Sequence, residues 1–381
     1  MSDASAPAAA LGTLIAFRRV VLSGFRNFER AVFEPGPRLN VISGDNGQGK
    51  TSLLEALYFV ATTRSFRTEK LPTLIRHGSE QASVRAELVE GTRSREQLMV
   101  LAPRVRRASI DGKRPPRLVD YAQRTPVVAF HPGDLELVAG AGSVRRRLLD
   151  RVALFIDPAG YERKSRYERA MKERQRALEE RGERASELDA FEQVAAEDGA
   201  RYQLARERAA STLTELVPLR FARLAPATLA LDVSYLAGGT HDAAQFRREL
   251  EARRTKDRLR RAASFGPGRD ELALSLDARP ARSHASQGQQ RILTLALKLA
   301  ELDAISRARG APAVLLLDDV SSELDPARTG AVYEVLRTNA GQVFVTTTRP
   351  ELFPTPDRAS ERLDFSVESG VLRRAISASN S

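Results

Sequence analysis

The octapeptide Gly44-Asp45-Asn46-Gly47-Gln48-Gly49-Lys50-Thr51 places an ammonium and a hydroxyl directly after a glycine-rich loop. This is the G-x-x-x-x-G-K-[ST] spacing, in which each residue type has a task in holding a polyphosphate. Glycines at 44, 47 and 49 let the backbone curl until successive N–H groups face phosphate oxygens. Lys50 reaches the β- and γ-phosphates, and the Thr51 hydroxyl is suited to Mg²⁺. Together with Asp45, Asn46, Gln48 and Ser52 they form the candidate nucleotide-binding set. Arg26 is near this loop in sequence, and either touches the nucleotide or is a solvated turn arginine.

A glycine-rich turn is only a phosphate loop if a strand precedes it and a helix follows. Leu39-Asn40-Val41-Ile42-Ser43 supplies a short apolar strand, and apolar positions 53, 54, 57, 58 and 61 give the helix pattern. The helix start adds its positive dipole end to the loop. A second run, Pro312-Ala313-Val314-Leu315-Leu316-Leu317, has the composition of a strand buried on both faces and ends in Asp318-Asp319. Open parallel sheets take ligands outside the carboxyl ends of their strands, which puts these two acids beside the phosphate loop. Asp318 is expected to hold Mg²⁺, directly or through water, and Asp319 to orient the attacking water. Lys50, Asp318 and Asp319 are thus the candidate catalytic residues, with Thr51 and Asp318 as the metal ligands.

Ser286-Gln287-Gly288-Gln289-Gln290-Arg291 opens another apolar-periodic helix, Ile292 to Leu302. A hydroxyl and a glycine at a helix start form a second anion site. Two phosphate-seeking helix ends in one chain suggest ATP sandwiched between two copies, each giving its loop to one nucleotide and its Ser-Gly end to the other.

The remaining composition narrows the class. With 381 residues, 42% hydrophobic and 29% charged, the chain can bury a full core and is expected to hold more than one lobe. A net charge of +11, from 60 basic against 49 acidic residues, favours a polyanionic partner, nucleic acid first. No run of 18 apolar residues is present, and there are no cysteines, in keeping with a reducing cytoplasm. Residues 1–13 are Ala-rich and begin with Asp3, the pattern of a loose extension and not of a signal peptide.

Strand candidates Leu14 to Leu22 and Ala31 to Glu34 precede the loop. Alternating segments Ala82 to Val89, Glu96 to Leu101, Val105 to Ile110 and Pro126 to Phe130, with an Asp111-Gly112 turn, predict an antiparallel β-subdomain. Tyr161 to Leu224 is dense in Glu, Arg, Ala and Leu, which predicts two or three helices broken near Arg181 to Ser186. Gln245 to Arg261 reads as a basic helix and Glu271 to Leu276 as a strand.

As a set, these motifs resemble ABC-type ATPase heads and, within them, the RecF family related to SMC proteins. The match is carried by Phe25-Arg26-Asn27-Phe28, the 44–51 loop, Arg64-Ser65-Phe66-Arg67, Phe130 to Leu135 and Arg146 to Asp150. To these are added Gly266-Pro267 with Arg269-Asp270, Ser286 to Arg291, Leu315 to Val320 and Ser322 to Asp325. The resemblance implies an α/β fold: an ABC-type P-loop ATPase head, with a mixed sheet, flanking helices and an antiparallel β-subdomain, plus a helical second lobe. On that pattern residues 14–150 and 263–381 form lobe I, and 151–262 form helical lobe II. It further implies weak, DNA-stimulated ATPase activity, an ATP-dependent homodimer, and binding to single-stranded, gapped or junction DNA. RecO and RecR are the implied partners in loading recombinase, in replication and repair and in the SOS response. Ser286, Gly288 and Gln289 would then face the partner copy's ATP, and Asp325 would belong to the loop between the two sites.

Two departures stand out. The family's Gly-Pro-His-Arg-Asp-Asp appears as Gly266-Pro267-Gly268-Arg269-Asp270-Glu271. Val345-Thr346-Thr347-Thr348 stands where transporter heads carry a histidine, which puts a His-assisted step in doubt. The alternatives are the nucleotide subunit of a transporter, which requires that histidine and a membrane partner, and a P-loop kinase, which leaves Ser286 to Arg291 without a task.

Overall fold

A computed structural model of the chain describes residues 14–319, 341–353 and 361–375. The expectations for residues 1–13 and for Asp325 lie outside the described residues. Contacts divide the chain into two compact units, one of residues 1–133 with 305–381 and the other of residues 134–304. By packing, residues 134–150 and 263–304 therefore group with the helical segment.

The first unit contains two sheets. Strands β1 (Ile15–Phe25) and β2 (Phe28–Phe33) form a hairpin, and β3 (Leu39–Ser43) leads to the phosphate loop and α1 (Lys50–Thr62). Strands β4 (Ala82–Glu90), β5 (Arg93–Ala102) and β6 (Val105–Ile110) continue the first sheet, which is antiparallel in the order β2-β1-β4-β5-β6. Its inner face follows the period-2 alternation, with Val20, Leu22, Val84, Ala86, Met99 and Leu101 buried in one core with α1. After α2 (Leu118–Ala122) comes β7 (Val127–Phe130).

Strand β7 corrects one expectation. The segment Pro126 to Phe130 does not join the antiparallel subdomain: it pairs in parallel with β11 (Val314–Leu317) in the second sheet. All four of its residues are buried, the mark of a strand covered on both faces, so it carries no inside-outside alternation. Strands β8 (Leu231–Leu236), β9 (Glu271–Leu276) and β10 (Arg279–Pro280) belong to the other unit. The second sheet of this unit runs β14-β13-β3-β12-β11-β7, with β12 (Val343–Thr347), β13 (Arg362–Glu368) and β14 (Val371–Arg374). Its strands are parallel apart from the β13–β14 hairpin, and β3 lies between β12 and β13.

The second unit is mainly helical. It comprises α3 (Glu136–Ala139), α4 (Gly142–Ile156), α5 (Pro158–Glu162), α6 (Lys164–Arg181) and α7 (Leu188–Ala222). The break between α6 and α7 spans residues 182–187, where the charge-rich segment was expected to turn. Two helices, α8 (Ala243–Ala252) and α9 (Arg254–Arg260), replace the single basic helix read over 245–261. A short α10 (Ala281–His284) and the long α11 (Gln287–Arg309) follow the three-stranded sheet β10-β9-β8. Among the described residues no helix is long and apolar enough to cross a membrane.

Candidate nucleotide site

Central strand β3 delivers the loop at its carboxyl end, and α1 starts at Lys50. Gly44 adopts φ +148 and a Cβ there would lie 2.4 Å from the Val367 carbonyl oxygen, so only glycine lets the chain leave β3 against β13. Gly49, at φ +123, precedes the first helical residue and faces the Asn27 amide at 2.5 Å from where a Cβ would be. Gln48 is tied down from three directions: its carbonyl accepts from Asn27 Nδ2 (2.8 Å) and Gly370 N (3.1 Å), and its Oε1 accepts from Ser369 N (2.6 Å). Asp45, Asn46 and Gly47 form the exposed tip.

Lys50 is only 7% exposed, and its ammonium donates to the Gly44 and Asp45 carbonyls at 2.6 and 2.9 Å. Burial pushes its pKa down, opposed by the charges of Asp319, Asp318 and Asp45. Asp318 follows β11, with its N–H on the Phe130 carbonyl at 2.8 Å. Its Oδ1 accepts from Thr51 Oγ1 at 2.9 Å and from Thr346 Oγ1 at 2.8 Å. Burial pushes the Asp318 carboxyl up, the two hydroxyls and Arg67 pull it back, and Asp319 adds to the rise. Asp319 sits at φ +52, a left-handed conformation that Asp tolerates better than most residues, and its N–H donates to Thr346 Oγ1 at 2.9 Å. The resulting chain runs Asp319 N–H to Thr346 hydroxyl to Asp318 carboxylate.

The donor set fits a hard divalent cation. Mg²⁺ takes oxygen ligands at about 2.0–2.1 Å in octahedral geometry, which puts two adjacent ligands about 2.9 Å apart. Thr51 Oγ1 and Asp318 Oδ1 have that separation. Both are oxygens of the type Mg²⁺ prefers, leaving the other positions to phosphate and water.

Arg26 is not a solvated turn arginine, its side chain being 20% exposed and tied to an acid within the chain. At φ +54 in the β1–β2 turn, it binds the fully buried Glu55 through Nε and Nη2, both at 2.8 Å, and donates Nη1 to the Thr73 carbonyl at 3.0 Å. Glu55 also accepts from Ser65 Oγ at 2.5 Å and lies 3.5 Å from Arg67 Nη1. The Arg64 to Arg67 segment is thereby held along α1, with Phe66 stacked on His131 at 5.0 Å.

Ser286 is exposed at the start of α11. Its Oγ accepts from Gln289 N at 3.2 Å, while Gln289 Oε1 accepts from Ser286 N at 2.8 Å. This reciprocal capping box satisfies two end groups of the helix and leaves the serine O–H as a donor. Gly288, the second residue of α11, is half-buried.

The family described as the RecF/RecN/SMC N-terminal domain matches residues 16–363. The DNA replication and repair protein RecF of Anaeromyxobacter sp. (strain Fw109-5) is 37% identical over 94% of this chain and 99% of its own length. The chain belongs to the RecF family. The same-named protein of Geobacter sulfurreducens is 39% identical over 86% of this chain and 92% of its own. Among solved structures, the recombination mediator protein RecF with ATP superposes with a TM-score of 0.85 at 25% identity, covering 97% of this chain and 100% of that one. The Smc head domain of Pyrococcus furiosus gives a TM-score of 0.54 at 15% identity over 95% and 96%, a likeness of fold alone. The α/β architecture is accordingly that of an ABC-type ATPase head with a helical second unit, as the motif set implied.

Sequence reasoning about this RecF-family chain passed over Thr346, seen only as a missing histidine. Register offers a signal: β11 and β12 pair in parallel with Leu317 opposite Val345, so the next residues, Asp318 and Thr346, face each other. Asn27 stands within the Phe25 to Phe28 motif, though that motif does not reveal its task of bracing the loop, while Glu55 and the Ser369-Gly370 turn have no spacing motif that could expose them.

Proposed function

We propose that this chain is an ATP-switched DNA-binding protein of replication and repair, acting as a recombination mediator. The observation that carries the reading is the Thr51–Asp318 hydrogen bond at 2.9 Å, which joins the helix after the phosphate loop to a carboxylate 267 residues away. ATP is the nucleotide held by the 44–52 loop. Lys50, desolvated and held by two carbonyls, exchanges those weak partners for β- and γ-phosphate oxygens. Thr51 and Asp318 would hold Mg²⁺, which would supply charge neutralisation to the phosphates.

Asp319, fixed through its own N–H by Thr346, orients water for in-line attack and accepts its proton. No histidine stands at 345–348 to assist, in keeping with slow hydrolysis and a role set mainly by ATP binding. The Ser286 hydroxyl, with Gly288 and Gln289 at the start of α11, serves the γ-phosphate of a second copy, so that ATP closes a homodimer. Gapped DNA with RecO and RecR is the setting that the family suggests for this clamp.

Sedimentation of the full chain should show a dimer with ATP and Mg²⁺ and a monomer with ADP. Ser286→Arg should abolish the dimer yet leave nucleotide affinity within about twofold, since a rim substitution away from the bound phosphates changes little else. One mass in both nucleotides would refute the switch; loss of nucleotide binding by Ser286→Arg would refute service to a second copy.

A further inference from the structure

About half of the cations of the helical unit have an acid beside them. Lys164 lies 2.5 Å from Glu168, Arg176 2.8 Å from Glu180, Arg208 2.6 Å from Asp157 and Arg247 2.8 Å from Glu251. One edge of the antiparallel sheet of the first unit departs from this pattern, although Arg19, Arg85 and Arg95 on its other strands are paired. Edge strand β6, with the turn before it and the loop after it, exposes Arg104, Arg106, Arg107, Lys113 and Arg114. The one acid among residues 103–116 is Asp111, whose Oδ1 accepts from the Glu96 N–H at 2.7 Å. Among the described residues none of these five cations has an ion-pair partner. Arg106 instead donates to the Thr63 carbonyl at 3.3 Å, next to the like charge of Arg64.

Strand register shows how the cations are distributed over the outer face. Arg107 on β6 lies opposite Val100 on β5, Val100 opposite Ser83 on β4, Ser83 opposite Ser23 on β1, and Ser23 opposite Arg30 on β2. Their chain neighbours Ala108, Leu101, Val84, Leu22 and Ala31 are buried, so this row points outward. At about 4.8 Å per strand its ends are about 19 Å apart. The row therefore has an arginine at each edge and only small uncharged side chains between. Acids on these strands have cations beside them: Glu34, Glu87 and Glu96 are matched by Arg19 and Arg85, and Glu29, next to Arg30, lies 3.7 Å from Arg76.

An edge strand is often guarded by charge against pairing with another chain. Guarding alone does not call for cations that continue past the strand into the 113–114 loop, or for Arg30 on the opposite edge. We infer that the Arg30–Arg107 row, with Arg104 and Arg114 beside it, is a contact surface for the phosphate backbone of duplex DNA. A separation of about 19 Å is enough to straddle either groove of B-DNA, about 12 and about 6 Å wide, and reach its flanking phosphates. Lysine and arginine contacts of this kind position a duplex without reading sequence. The inference rests on the DNA-binding function proposed above and assigns it a place.

The test compares two variants of the full chain with equal charge change, both with ATP present. One is Arg30→Gln/Arg104→Gln/Arg107→Gln/Arg114→Gln; the other replaces the matched cations, Lys164→Gln/Arg176→Gln/Arg208→Gln/Arg247→Gln. Binding of a labelled duplex is measured over a salt series by anisotropy, with a single strand of the same length as a second probe. On duplex, the first variant should flatten the log–log salt slope by about 0.9 for every phosphate it no longer neutralises, up to about 3.6, and the second should leave the slope unchanged. Equal slopes for wild type and first variant, equal flattening in both variants, or flattening on the single strand only would each overturn the inference. Failure of the wild type to bind any DNA would instead strike the function on which it rests.

Discussion

In the helical unit Arg206 is buried between two aspartates, with Nε on Asp150 at 2.8 Å and Nη1 on Asp270 at 3.0 Å, and its guanidinium lies 4.5 Å over the Tyr202 ring. Arg174, fully buried, is held in the same way by Glu192 and Asp257, both at 2.8 Å. At the phosphate loop the buried charges are treated differently. Lys50 has only carbonyl partners and Asp318 only hydroxyl partners at hydrogen-bonding distance, and among the described residues neither makes an ion pair. A buried ion needs an opposite charge to offset its desolvation. The helical unit supplies that charge from within the chain. The loop offers charges nearby but no ion pair, and on the proposed function a nucleotide with its cation would bring the missing partners, phosphate for Lys50 and metal for Asp318. On that proposal, charge balance separates side chains that hold the fold from side chains that would meet a ligand.

Removing one charge should expose the contrast most strongly at Arg206. Arg206→Leu leaves Asp150 and Asp270 buried together and should cost about 3–5 kcal/mol in chemical denaturation. A loss below about 1 kcal/mol would mean that the two acids do not depend on it. A smaller effect is expected from pH. Burial pushes the Glu301 carboxyl up, but Arg151 and Lys298 outweigh it and hold it at about 2, below its ordinary 4.5. A carboxyl depressed in the fold contributes stability that is present above pH 4.5 and is lost as pH falls toward about 2. That contribution is about 3 kcal/mol. Glu301→Gln should flatten the decline over this window; an unchanged acid limb would remove Glu301 as its source.

The same contrast explains what could be read without coordinates. Phosphate-loop residues are contiguous, because a loop that wraps a phosphate must do so with successive N–H groups, and the two acids at the end of an apolar run follow from sheet geometry. Arg146 to Asp150 and Gly266 to Asp270 were equally recognisable as motifs, but their task was not. In the structure Asp150 and Asp270 are joined by Arg206, a residue inside a helix whose 3.6-residue pattern looks solvated. Partners brought together from separate helices leave no spacing to detect. Strand β7 was misplaced for a related reason: four apolar residues without alternation fit either sheet until pairing with β11 is known.

The smallest stability change, and the most telling one, is expected at Asp318. Its carboxyl is pushed above the ordinary 3.8, so in the fold it holds its proton more tightly than in the unfolded chain. With that sign, ionising Asp318 lowers stability as pH rises past 3.8, the reverse of Glu301. Asp318→Asn removes the charge and keeps an acceptor for Thr51 and Thr346. Without nucleotide, the variant should therefore be as stable as the parent or up to about 1 kcal/mol more so, as is common when a strained functional group is neutralised. The parent's melting temperature should rise with ATP and Mg²⁺, through binding to the folded state, and the variant's should stay where it was. A fall of several kcal/mol instead, like that expected for Arg206→Leu, would place Asp318 with the structural charges and erase the distinction between the two regions.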